Sequence, residues 1–156
     1  GKGRTVMDLV ANATDAKIRP IGRLGRNSLG LILFTNDEQM HAKFTNSKHG
    51  VTRLFHMELD KPLKFEHLKS IQEGFKYEGK LVSVEAISYI EGSPKNELGL
   101  QIKNTGNTIL RLIFDHFNYE IVKMDCVTIG PLSKKDLPRG HWKHLTEQEI
   151  NNLMML

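Results

Sequence analysis

The residues best suited to chemistry lie in one stretch, RPIGRLGRNSLGLILFTND, which runs from Arg19 to Asp37. Its first part is basic and punctuated by glycine, an apolar run follows, and a polar Thr-Asn-Asp turn ends it. A basic loop with glycines can bind phosphate, because arginines donate to it and glycine lets the backbone come close. A loop of this kind usually presents a reactive side chain at its tip, but here the tip is Gly25. The stretch therefore predicts contact with an anionic ligand and leaves the chemistry open.

No other local motif indicates an enzyme. Of the seven histidines only His141 and His144 are close in sequence, and the HExxH, CxxC, GxSxG and P-loop patterns do not occur. The single cysteine, Cys126, lies inside an apolar run, so we expect a buried structural thiol. One cysteine cannot form an internal disulfide framework, and it suits a reducing compartment. We therefore expect no metal site.

The composition favours one globular domain that contacts a polyanion. The chain has 156 residues, of which 39% are hydrophobic and 26% charged, and its formal net charge is +4. Residues 1–30 hold six basic and two acidic residues. A second basic cluster, LSKKDLPRGHWKH, contains Lys134, Lys135, Arg139 and Lys143 beside a single acid, Asp136. Two separate basic clusters favour a phosphate-binding face. No apolar run reaches the roughly 18 residues of a membrane span.

Hydrophobic periodicity predicts an α+β domain with interleaved hairpins rather than regular βαβ units. The predicted strands are LGLILFT, RLFHMEL, KLVSVEAISYI, LGLQIKN and YEIVKMDCVTI. The continuous apolar run LGLILFT predicts a buried strand, whereas RLFHMEL alternates Phe55, Met57 and Leu59 with the residues between them, the pattern of a half-buried strand. The predicted helices are TVMDLVANA, DEQMHAKFTN, KFEHLKSIQEGF, NTILRLIFDHF and TEQEINNLMML. Asp37 and Thr146 are expected N-caps, with Glu149 completing a capping box. The expected core residues are Leu31, Leu33, Ile87, Leu100, Val122 and Val127.

The stretch from Arg19 to Asp37 closely resembles the active-site motif of the RsuA-type pseudouridine synthases, the branch that includes RluB, RluE and RluF. The matching positions are Gly22, Arg23, Leu24, Ser28, Gly30, Leu31, Thr35, Asn36 and Asp37. Residues 106–150 are also similar to the family. The resemblance implies a single pseudouridine-synthase-like domain over residues 1–156, with a mostly antiparallel mixed sheet flanked by helices. It implies isomerisation of uridine in ribosomal RNA without cofactor or metal. The S4 RNA-binding domain, common upstream in the family, is expected to be absent from this chain.

Several positions depart from the family pattern. The resemblance places the family's catalytic aspartate at Gly25, where no carboxylate is present, and its base-packing tyrosine at Phe55. In the helix run NTGNTILRL, Asn107 and Arg111 match the family. Basic residues of the family are replaced at Gly106, Thr108 and Leu112. Glycine can supply neither nucleophile nor acid, so the departures predict a degenerate site in which Gly25 lies on a cleft floor beside Phe55 and Arg111.

Two functions of different classes follow. The first is a protein that binds structured ribosomal RNA or a ribosomal precursor without isomerising uridine, with Phe55 available for base stacking. Its expected RNA-binding residues are Arg19, Arg23, Arg26, Arg53, Lys103, Asn107, Lys134, Lys135 and Arg139. The second is an active synthase that uses another acid, for which the candidates are Asp37, Asp125 and Asp136. We favour the first, and in both cases expect a cytoplasmic monomer that makes no membrane contact.

Overall fold

A computed structural model describes residues 6–21, 27–45, 51–103, 107–135 and 137–155; for residues 6, 45, 107 and 108 the description covers the backbone only. Its helices are α1 (Val6–Leu9), α2 (Glu38–Thr45), α3 (Phe65–Glu73), α4 (Asn107–His116) and α5 (Glu147–Met154). The first strands are β1 (Arg19–Ile21), β2 (Ser28–Gly30), β3 (Leu33–Thr35), β4 (Arg53–Leu59) and β5 (Phe75–Tyr77). The others are β6 (Lys80–Val82), β7 (Ala86–Tyr89), β8 (Glu97–Ile102), β9 (Ile121–Ile129) and β10 (Leu132–Ser133).

The central sheet contains β10, β9, β4, β8 and β7 in that order, and β2 joins it beside β9. Neighbours along this order are antiparallel, whereas β2 runs parallel to β9. Two smaller sheets pair β1 with β3 and β5 with β6. Leu110, Ile113 and Phe114 of α4 are fully buried in the same core as the inner residues of β4 and β8. The predicted α+β fold with a mostly antiparallel mixed sheet flanked by helices is confirmed.

The alternation predicted for RLFHMEL is confirmed in β4. Phe55, Met57 and Leu59 are buried, while His56 between them is exposed. Successive side chains of a strand point to opposite faces, so one face of β4 contributes to the core and the other stays open. On the open face His56 Nε2 lies 3.0 Å from Glu97 Oε1 on β8.

The expected core residues differ in how deeply they are buried. Ile87 and Leu100 are buried as predicted, and Leu31 and Leu33 are partly buried against the core. The prediction was wrong for Val122, whose side chain is 46% exposed, and Val127 is only half-buried.

Two irregularities in the pairing of β4 with β9 explain these exceptions. Leu54 and Phe55 pair with Thr128 and Cys126, and Glu58 and Leu59 pair with Lys123 and Ile121. The residues skipped on β9 are therefore Val127 and Val122. A bulge leaves its extra residue outside the regular alternation of faces, so an apolar side chain there does not reach the core.

The run LGLILFT does not form one continuous buried strand. It is divided into β2, which pairs with β9, and β3, which pairs with β1, and its residues are only partly buried or exposed. Gly30 ends β2 with φ of +91°, and a Cβ there would lie 2.1 Å from the Cys126 carbonyl oxygen. Only glycine fits this approach, and Leu31 N then donates to that same oxygen at 3.0 Å. The run KLVSVEAISYI is likewise divided, into β6 and β7.

The predicted helix caps are present. Asp37 Oδ1 accepts hydrogen bonds from Gln39 N at 2.9 Å and Met40 N at 3.3 Å at the start of α2. Thr146 and Glu149 form the expected capping box of α5. Within the part of the chain that the structure describes, no helix combines the length and apolarity needed to cross a membrane.

Candidate functional site

A shallow cleft lies where the start of β2 meets β9 and α4. It is lined by Asn27, Ser28, Arg111, Ile121 and Met124. Asn27 Nδ2 donates to Ile121 O at 3.1 Å, and Met124 N donates to Asn27 O at 2.8 Å. These bonds hold the beginning of β2 against β9. Asn27 is two residues beyond Gly25 in the sequence, so the cleft includes the described part of the motif that is nearest to the family's aspartate position.

Arg111 supplies a positive charge to this cleft. It lies on the exposed side of α4, and no carboxylate among the described residues forms an ion pair with it. Its neighbour Leu112 is partly buried and packs against the core. The helix thus offers one guanidinium to the cleft, while the adjacent position, where the family has a basic residue, serves packing.

Gly25, Arg23 and Arg26 lie outside the described residues. The predicted cleft floor at Gly25, and its proximity to Phe55 and Arg111, stay predictions. Asn107 begins α4, but its side chain is likewise outside the description, so its contact with RNA also stays a prediction.

Phe55 and Arg53 are more buried than expected. Phe55 is 7% exposed and pairs with Leu100 on β8 and Cys126 on β9, so its ring belongs to the core rather than to an open stacking surface. Arg53, an expected RNA-binding residue, is only 5% exposed, and its contact with RNA stays a prediction. Both side chains point to the core face of β4 because they are separated by one residue.

The guanidinium of Arg53 is only partly hydrogen-bonded within the described residues. Nη1 donates to Val51 O at 3.4 Å, and Nη2 is buried without a hydrogen-bond partner among the described residues. Desolvation by burial lowers the pKa of Arg53. Burial also raises the pKa of the neighbouring Cys126 thiol to about 11, although the positive charge of Arg53 opposes this shift. Cys126 is therefore the buried, protonated structural thiol that the sequence predicted.

The other predicted cations are exposed but differ in their partners. Arg19 on β1 pairs with Glu38 of α2, and Lys134 pairs with Asp125 of β9. No ion pair with a described residue is present for Lys103, Lys135 and Arg139, which are also exposed. These three cations and Arg111 are the ones most available to phosphate.

Two of the three candidate acids, Asp37 and Asp125, have other partners. Asp37 caps α2. Asp125 Oδ2 accepts from Lys134, and Asp125 Oδ1 is buried without a partner among the described residues. Asp136 lies outside the described residues. None of the described cleft residues is a carboxylate, and no three metal-ligating side chains are grouped in the described chain.

Sequence reasoning missed several cleft residues. Asn27 and Ser28 belong to the motif stretch, and Ser28 is one of its matching positions, yet neither was expected in the site. Ile121 and Met124 carry no sequence signal of their own, because they come to the cleft only through the pairing of β2 with β9.

Comparison with known proteins agrees with this architecture. A sequence model of the family described as RNA pseudouridylate synthase matches residues 1–116. The dual-specificity RNA pseudouridine synthase RluF of Escherichia coli strain K12 is 25% identical over 156 residues, covering 100% of this chain and 52% of the relative. The ribosomal large subunit pseudouridine synthase B of Vibrio cholerae serotype O1 is 25% identical over 155 residues, covering 98% and 48%. The chain spans about half the length of these relatives.

A solved structure shows the same fold. A crystal structure of a pseudouridylate synthase superposes with a TM-score of 0.78 and 22% identity, covering 96% of this chain and 65% of that one. The likeness extends over nearly all of the described sheet and helices. Because the family match covers most of the sequence, the chain belongs to the RNA pseudouridylate synthase family, in the branch that contains RluF and the ribosomal large subunit pseudouridine synthase B.

Proposed function

We propose that this chain binds structured ribosomal RNA and does not isomerise uridine. One observation carries the proposal: the cleft next to the motif holds a guanidinium, Arg111, and no carboxylate among its described residues. The sequence places glycine where the family has its catalytic aspartate. A site that keeps a cation and lacks an acid suits binding of phosphate better than attack on a nucleotide.

Ribosomal RNA is the ligand best supported by the positive charge of the chain and by the relatives that it matches. The chain carries a formal net charge of +4, and Lys103, Arg111, Lys135 and Arg139 present exposed charges without described ion-pair partners. The names of the matched relatives refer to RNA and to the large ribosomal subunit. The proposal therefore includes a ribosomal RNA or ribosomal precursor as partner, a monomeric protein and a cytoplasmic location.

An active synthase that uses another acid is the second candidate. Asp125 favours it, because its Oδ1 has no hydrogen-bond partner among the described residues. The same atom is fully buried and would lie only 2.5 Å from a Cβ added at Gly30, so it has no room to receive a ribose or a base. This crowding is why we favour binding without isomerisation.

The test measures binding and chemistry on the same RNA. Ribosomal RNA is incubated with excess protein for a single turnover, affinity is measured at low and physiological salt, and pseudouridine is mapped afterwards. If roughly five phosphates are contacted, affinity should fall on the order of a hundredfold or more between the two salt concentrations. No pseudouridine is expected. Pseudouridine formed by the unmodified chain, and abolished by Asp125→Asn, would establish the second candidate instead.

Restoring the missing carboxylate sharpens the test. Gly25→Asp alone should give at most a trace of pseudouridine, because a misplacement of about 1 Å can cost on the order of a hundredfold in rate. Adding Thr108→Arg should raise the yield. Leu112→Arg and Phe55→Tyr also restore family residue types, but they are unsuitable because Leu112 packs against the core and Phe55 is buried within it.

Gly79→Asp, at the turn between β5 and β6, is the matched control for an added carboxylate, because a side chain there would meet nothing within 4 Å. It should give no pseudouridine. Full activity from Gly25→Asp alone would show that one residue silenced an otherwise competent site.

A further inference from the structure

The segment that follows β10 combines an exposed tryptophan with free cations. The Trp142 segment is defined here as residues 137–145, and it has no helix or strand. Trp142 is 40% exposed, whereas tryptophan is usually largely buried. Arg139 on the segment and Lys135 just before it are exposed and have no ion-pair partner among the described residues. An accessible indole beside unpaired cations is typical of surfaces that bind nucleic acid.

The segment is held in place although it is irregular. His144 Nε2 donates to the carbonyl of Ala13 at 3.1 Å, and the ring of Trp142 meets that of His144 edge-on, with centroids 5.3 Å apart. Lys143 Nζ lies 3.7 Å from Glu149, which also caps α5. Contacts on the C-terminal side thus fix the tryptophan, so it can accept a partner without a large loss of conformational entropy.

A local turn and a core contact anchor the two ends. His141 N donates to Pro138 O at 3.0 Å, and Gly140 adopts φ of +83°. At the other end Leu145 packs against the core. The backbone of the segment is therefore fixed on both sides of Trp142, whose side chain remains partly exposed.

The residue run just before the segment is held against the central sheet. Lys134, three residues before it, pairs with Asp125 on β9, and Lys134 N donates to Val127 O at 3.1 Å. The start of the Trp142 segment is therefore positioned by β9.

We propose that Trp142 is a stacking platform for an unpaired base of the RNA, and that Arg139 and Lys135 bind the flanking phosphates. This inference rests on the proposed RNA-binding function and adds the class of ligand, an RNA with unpaired nucleotides. Aromatic rings recognise any base by its π face, and single-stranded loops are where bases are free to stack. The neighbouring cations match the charge of the nucleic acid backbone.

The chain contains one tryptophan, so its fluorescence reports on this site alone. Three probes are titrated: an RNA hairpin with an unpaired loop, a blunt duplex of the same stem, and inorganic polyphosphate. The hairpin should quench the emission of Trp142, whereas the duplex and polyphosphate should leave it nearly unchanged, because neither offers an unpaired base. Equal quenching by all three probes would overturn the stacking role.

Variants are compared by anisotropy of the labelled hairpin. Trp142→Ala should weaken binding by about tenfold or more, from the usual contribution of base stacking, whereas Trp142→Phe should stay close to the wild type. Tyr77→Ala, which removes another exposed aromatic on the β5–β6 hairpin, is the matched control and should have no effect.

These variants separate the two proposals. If the hairpin binds in a salt-dependent way but Trp142→Ala binds as tightly as the wild type, the stacking site is wrong and RNA binding stands. If Tyr77→Ala weakens binding as much as Trp142→Ala, the effect is not specific to the segment and the stacking site is also wrong. If no RNA binds even at low salt, both proposals fail.

Discussion

The cleft beside β2 and the Trp142 segment are both proposed to contact RNA, yet different kinds of contact build them. The cleft depends on the parallel pairing of β2 with β9, which joins residues distant in sequence, and on the close approach of Gly30 to Cys126. The Trp142 segment has no strand pairing and is held by individual turn and side-chain contacts, such as the bond from His141 to Pro138, the pair of Lys143 with Glu149 and the bond from His144 to Ala13. Substitutions in the first region should therefore change stability, while those in the second should mainly change binding.

The largest effect is expected at Gly30. Gly30→Ala adds a Cβ 2.1 Å from Cys126 O and places a non-glycine residue at φ of +91°, so it should lower the free energy of unfolding by about 3 kcal/mol. The measurement is urea unfolding followed by circular dichroism.

Gly92→Ala is the control for the backbone conformation. Gly92 has φ of +81°, but an added Cβ there would meet nothing within 4 Å, so the loss should be only about 1 kcal/mol. Equal losses in the two variants would mean that the close approach of β2 to β9 contributes nothing to stability.

A smaller effect, of opposite sign, is expected at Arg53. A buried charge without an ion-pair partner among the described residues is unfavourable, so Arg53→Met should raise the free energy of unfolding by about 1 to 2 kcal/mol. Arg111→Met, on the exposed side of α4, should change it by less than about 0.5 kcal/mol. If Arg53 is retained for RNA, Arg53→Met should also weaken RNA binding while it stabilises the protein. A marked loss of stability in Arg53→Met would show that the guanidinium has a stabilising partner after all.

The smallest effect concerns the pH dependence of stability at Glu149, which pairs with Lys143 of the Trp142 segment. The hydrogen bond from Thr146 N lowers the pKa of Glu149 below its ordinary value. Glu149 thus has a lower pKa in the folded protein than in the unfolded chain. Its contribution to stability is complete above the usual glutamate pKa of about 4.3 and is lost as the pH falls through the lower, folded pKa.

Glu149→Gln keeps an acceptor for the capping box but cannot ionise. We expect it to be slightly less stable than the wild type at pH 7, with the difference disappearing in acid, when unfolding is measured by circular dichroism at both pH values. A difference that persists unchanged at low pH would exclude the carboxylate as its source. Glu147→Gln, in the same turn of α5 but outside the capping box, is the control.

Features that depend on near neighbours could be predicted from the sequence alone. The caps at Asp37 and Thr146 were predictable because each joins groups two or three residues apart. The alternation in RLFHMEL was predictable because a strand turns successive side chains to opposite faces. The family resemblance singled out Arg111, and this residue lines the cleft.

Features that depend on a distant partner could be seen only in the folded chain. The run LGLILFT gives no sign of a break, because the carbonyl that excludes a side chain at Gly30 belongs to Cys126 on another strand. Val122 and Val127 have core-type side chains, but bulges in the pairing of β9 with β4 keep them out of the core. Arg53 has the side chain of a surface residue, and its burial follows from its position on the inner face of β4. In each case the burial of a side chain is set by strand pairing across the sheet, which local sequence patterns do not encode.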